Sequence, residues 1–271
     1  MMAAKSSLQK LMQVFCTALL PGSLAAISTP ALSAEVETWQ IKQQTEQLGP
    51  TTVLMSSDSV KFIGNDGDLI VVARKPTWRV VAFNRSEKVG FEVPLSEWPR
   101  NGLKLFKGPG ELLTGKKSQI HDPQLKMDLL QLEIPLQGRY YGNNDPAIFR
   151  AAEKKQLLSS RLRVSTTIPV NEDQKKFLAG LYSLAYPGGF PLQLSTLTTD
   201  GGISYTYRTV SVCKTKTDSS TFDYPTKYKI TGDRMDVLVT SRQKKRFEDF
   251  LDAFTDDAAD EKAKSVKKPP R

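Results

Sequence analysis

The chain has 271 residues and a formal net charge of +9, but only two cysteines and one histidine. That stock excludes a Cys/His zinc centre, which needs three or four such ligands. A Ser-His-Asp triad would have to use His121, and no Gly-x-Ser-x-Gly elbow is present to offer the serine.

Residues 1–34 read as an export signal. Lys5 and Lys10 form a basic start, an apolar stretch runs from Leu11 to Ile27, and small residues lead to Ala34 before Glu35. Pro21 and Gly22 interrupt the run, which is too short and broken for a membrane anchor. Cleavage after Ala34 is therefore expected, with an extracytoplasmic destination. Cys16 leaves with this segment, and Cys213 alone closes no intramolecular disulfide. Cys213 lies in the alternating run Val212-Cys213-Lys214, where a lone cysteine is expected as a small core residue.

Trp39 to Leu48 forms an amphipathic lead-in, punctuated by Gly49-Pro50. Short strands follow around Val53, Val60 and Phe62, over Leu69 to Ala73, over Trp78 to Phe83, and around Val89 to Val93. Asn65-Asp66-Gly67 and Asn84-Arg85-Ser86 are turn signals between them. The pattern is an antiparallel meander. Residues 98–123 are broken by Pro and Gly, and Leu125 to Leu136 suits a helix or a strand.

Two helices are expected next. Asp145-Pro146 starts one that runs to about Arg161. Asn171-Glu172-Asp173-Gln174 resembles a capping box, opening a helix to Ala185 with Phe177, Leu178, Leu181 and Leu184 at helical spacing. Strands return from Leu192 to Val239, with a hairpin turn at Asp200-Gly201-Gly202. A last helix is expected from Ser241 to Phe254, then a disordered polar tail over 255–271. A single domain over 35–254 results, of class α+β.

No residue is singled out as catalytic, no cofactor or metal is expected, and Asp66, Asp68, Glu92 and Glu97 read as solvated charge. The basic balance, densest at Arg242 to Arg246 and in the tail, is either a plain soluble surface or a means of meeting an anionic envelope partner. Nucleic acid is set aside for lack of a stacking motif. The apolar sheet face of Trp78, Val80, Ala82, Phe91 and Val93 is either ordinary core or one wall of a cavity for acyl chains.

Arg74-Lys75-Pro76-Thr77-Trp78-Arg79-Val80 is similar to the arginine-proline-x-x-tryptophan hairpins of periplasmic lipoprotein carriers of the LolA type. Thr221-Phe222-Asp223-Tyr224-Pro225-Thr226-Lys227-Tyr228-Lys229 resembles the ending of exported relatives of those carriers. The resemblance spans about residues 48–240. It implies an incompletely closed antiparallel half-barrel with helices on the concave face, and non-catalytic binding of a lipid or lipidated segment. It further implies a ligand resting on Trp78, Val80 and Phe91 beneath a lid carrying Phe177, Leu181 and Leu184, with Arg74 pinning that lid. The other function weighed is a structural or interaction protein that meets an anionic envelope component through its basic surface.

Overall fold

The computed structural model describes residues 34–106, 114–136, 157–184 and 188–239. The expected signal segment, the helix over 241–254, the polar tail and most of the expected 145–161 helix lie outside them. The described residues form twelve strands: β1 (Glu35–Thr45), β2 (Gly49–Met55), β3 (Ser59–Gly64), β4 (Leu69–Arg74), β5 (Val80–Asn84), β6 (Val89–Val93), β7 (Lys116–Asp122), β8 (Met127–Pro135), β9 (Leu157–Ser165), β10 (Phe190–Thr198), β11 (Ile203–Asp218) and β12 (Lys229–Ile230). They form one curved, unclosed sheet in the order β12-β6-β5-β4-β3-β2-β1-β11-β10-β9-β8-β7. Neighbours are antiparallel except β12, which runs parallel to β6. The helices are few: α1 (Trp98–Asn101), α2 (Glu172–Tyr182) and α3 (Met235–Leu238). Sheet dominates the described fold, and the expected α+β balance is not what these residues show.

One expectation is corrected by strand pairing. Leu157 to Arg161, expected to end a helix, begins β9, which lies between β8 and β10. Leu162 and Val164 are buried there while Arg161 and Arg163 alternate with them, and a period of two is a strand's. The lead-in around Trp39 is β1, held on both sides by β2 and β11.

Both faces of the sheet carry apolar clusters. On one face, inward residues such as Ile41, Val53, Phe62, Val71, Val80, Leu162, Leu194 and Tyr207 share a large core with residues of α1 and α2. On the opposite face, Leu54, Ile70, Val72, Val81 and Phe83 form a second cluster. Its cover is the strap that follows β11: Phe222 is buried in it and the Tyr228 ring lies 4.9 Å from that of Phe83. The run Leu69-Ile70-Val71-Val72-Ala73 is buried throughout because it feeds both clusters.

The turns follow the sequence. Asp66 and Gly67 take positive φ, 54° and 93°, between β3 and β4. Gly201, at φ 82°, closes the β10–β11 hairpin. The capping box at α2 is complete: the Asn171 side chain accepts from Gln174 N–H at 2.9 Å, and Gln174 Oε1 accepts from Asn171 N–H at 3.0 Å.

Candidate ligand groove

Trp78, Val80, Phe177, Leu181 and Leu184 belong to one buried cluster, and Phe91 packs against it half-buried. Val80, Phe177 and Leu181 have no exposure at all. They belong to the core, and none of them lines the groove described below.

Arg74 pairs with Asp223, and its guanidinium carbon lies 6.0 Å from the centre of the Tyr224 ring. Arg79 reaches the same ring at 5.8 Å. The Tyr224 hydroxyl accepts from Arg74 N–H and donates to the Arg79 carbonyl at 2.8 Å. Arg74 therefore grips the strap, not α2, and it joins the two stretches that carry the family resemblance. Lys61, half-buried below the strap, donates to the Thr221 carbonyl at 2.6 Å. Burial, then the nearby Arg85, hold its ammonium below the usual lysine range.

Other residues fasten α2. Gln174 Nε2 donates to the Ser56 carbonyl at 2.6 Å, and Asn171 Nδ2 to the Ser57 carbonyl at 2.9 Å. The Trp98 indole N–H donates to the Phe177 carbonyl at 2.8 Å, and its ring stacks on the Phe177 ring. The buried Tyr182 hydroxyl donates to Gln43 Oε1 at 2.6 Å, while Gln43 Nε2 serves the Pro191 carbonyl and Thr209. Burial pushes the Tyr182 and Tyr207 phenols well up from the ordinary tyrosine range.

Beside the start of α2 lies an open groove of about 690 Å³. β1 supplies Glu37 and Trp39, the end of β2 supplies Met55, the approach to α2 supplies Val170, and β11 supplies Lys214. The register of β1 on β11 sets Trp39 opposite Lys214, and the ammonium stands 4.9 Å from the ring centre, a cation–π contact. The groove is thus lined by apolar side chains and by polar ones such as Ser56, Asn171 and Gln174, with one charge of each sign, and its volume lies in the usual range for ligand sites. Sequence reasoning missed it because its walls come from four separated stretches. The only local signal was Trp39, an aromatic alternating with polar neighbours.

Other sequence candidates fall outside the groove. His121 Nδ1 pairs with Asp128 at 2.8 Å on an exposed hairpin. Cys213, expected in the core, is exposed beside Gln40, because the residues flanking it on β11 face the other way. Asn84 opens a glycosylation triplet, yet it is fully buried and donates to the Val237 carbonyl. Among the described residues no group of three or more His, Cys, Asp or Glu is placed to hold a metal, and no helix is long and apolar enough to cross a membrane.

No family model and no curated protein matches the chain. Among solved structures, it is similar to an uncharacterized conserved protein from Thermus thermophilus, at a TM-score of 0.38 and 11% identity, over 72% of this chain and 89% of that one.

Proposed function

We propose that the protein is an exported, non-catalytic binding protein for an amphipathic ligand, held in the groove between β1 and the start of α2. The observation that carries this is the groove's make-up: Trp39, Met55 and Val170 give apolar contact, and Lys214 gives a cation for a polar head. An unclosed curved sheet, with α2 taken as lying on its concave side, is compatible with a distant LolA-type ancestry. In this reading Trp78, Val80, Phe91, Phe177, Leu181 and Leu184 belong to the core that supports α2 and are not contacts of the ligand. The lipid-like guest meets Trp39 instead.

A lysophospholipid with a brominated chain tests this, because bromine quenches only nearby tryptophan. Trp78 and Trp98 are buried and Trp39 is half-exposed. Saturable quenching that disappears in Trp39→Phe supports the proposal. Equal quenching in that variant, or none in the wild type, overturns it. Native mass spectrometry of the purified protein adds a second readout, a stoichiometric acyl species.

A further inference from the structure

The face of the sheet opposite the large core is not uniform. Over β2 to β5 it carries the second apolar cluster, with Lys61 beside it, and lies under the strap. Over β9 to β11 and the end of β1 it mixes polar side chains with apolar ones such as Leu197 and Ile203, and strand register sets one polar row straight across it. Gln131 pairs with Arg163, Arg163 with Gln193, Gln193 with Arg208, and Arg208 with Gln44. Their strand neighbours Leu132, Leu162, Val164, Leu192, Leu194, Tyr207 and Gln43 are buried on the other side, so alternation turns this row outward.

The row is built, not loose. Arg163 Nε donates to Gln131 Oε1 at 3.1 Å, and Asp122 lies 3.8 Å from its guanidinium. Arg208 lies over the Tyr205 ring at 5.5 Å and has no carboxylate partner among the described residues. Gln44, Tyr205 and Arg208 line a shallow depression of about 510 Å³ at the row's end, with Glu46. Arg163 and Arg208 sit on strands two apart, so their backbones stand about 10 Å from each other. Gln131 Oε1 already accepts from Arg163 and Gln193 Nε2 donates to Ser195 Oγ at 3.4 Å, but an amide has two donors and two lone pairs, so each keeps capacity for a further hydrogen bond.

We infer that this row is a second binding site, for an acidic polysaccharide. Two guanidinium forks about 10 Å apart suit sugar carboxylates, which such forks hold in bidentate fashion. Amides that both donate and accept suit the hydroxyls between. Nucleic acid fits less well, because the one aromatic ring of the row is already covered by Arg208 and no stacking platform is left for bases. The site is independent of the groove: it lies on the other face of β1 and β11, and the residues differ.

The test uses the full protein and a fluorescein-labelled alginate oligosaccharide, read by fluorescence anisotropy. Binding should fall steeply between about 0.1 M and about 1 M salt, as the screening length shortens from about 10 Å to about 3 Å. The double variant Arg163→Gln/Arg208→Gln should bind about tenfold more weakly or worse, the scale of losing charge-assisted hydrogen bonds. Lys88→Gln/Lys229→Gln removes the same charge elsewhere and should bind as wild type. Thermal melting of each variant shows whether it is folded; Arg208→Gln alone, at an exposed position, serves if the double variant is not. No binding by the wild type, equal loss in both double variants, equal binding of neutral dextran, or binding of phosphatidylglycerol vesicles but not alginate would each overturn the inference.

Discussion

Gly180 of α2 is where the helix meets Trp98. A Cβ built there would stand 2.2 Å from Trp98 Cδ1 and 2.3 Å from Nε1, far inside ordinary contact. Trp98 has no exposure and no open side to retreat to; it stacks on Phe177 and its indole N–H is committed to the Phe177 carbonyl. Gly180→Ala must therefore displace either the ring or the helix. Overpacking of this kind costs about 1–3 kcal/mol, and breaking the buried indole hydrogen bond adds about 1–3 kcal/mol. The better helix propensity of alanine returns about 1 kcal/mol. The expected net loss is about 3 kcal/mol, seen in urea unfolding as a midpoint about 1 M lower at unchanged slope. In a Trp98→Ala background the clash is gone, so Gly180→Ala should be neutral or stabilising by about 1 kcal/mol, giving a large coupling in the double-mutant cycle. An alanine variant as stable as the wild type, or a cycle without coupling, would refute the idea that the glycine exists to admit this ring.

Ser183 ends α2 at φ 52°, and its hydroxyl is shut from solvent with no partner among the described residues. Ser183→Gly relieves both faults and should raise stability by about 1 kcal/mol in the same unfolding assay. The buried phenols of Tyr182 and Tyr207 are both raised, so the folded state keeps protons that the unfolded chain releases near pH 10. Their contribution is fully present below about pH 10 and lost as pH rises beyond it, and melting temperatures should decline there. Tyr207→Phe should make that decline shallower without loss at neutral pH, because the hydroxyl it removes has no partner among the described residues; a steeper decline, or a large loss at pH 7, would contradict this.

Local chemistry was legible in the chain. The capping box at Asn171, the turns at Asp66-Gly67 and Asp200-Gly201-Gly202, and the alternation through β2 to β6 each depend on neighbours within a few residues. Backbone propensity and side-chain reach act over that range. Leu69 to Ala73 was legible as a strand, but its burial on both sides was not, because the strap that covers the second face comes from far along the chain. Tertiary contact decided the rest. Leu157 to Arg161 has residues compatible with a helix, and only pairing with β8 and β10 makes it strand. Arg74 was expected to pin the lid carrying Phe177, Leu181 and Leu184, but its partners Asp223 and Tyr224 arrive about 150 residues later, in the strap. The groove at Trp39 and the row from Gln131 to Gln44 have no local signature at all, since each draws on strands far apart in the chain. Register across the sheet aligns them, and register depends on which whole faces bury their apolar residues together.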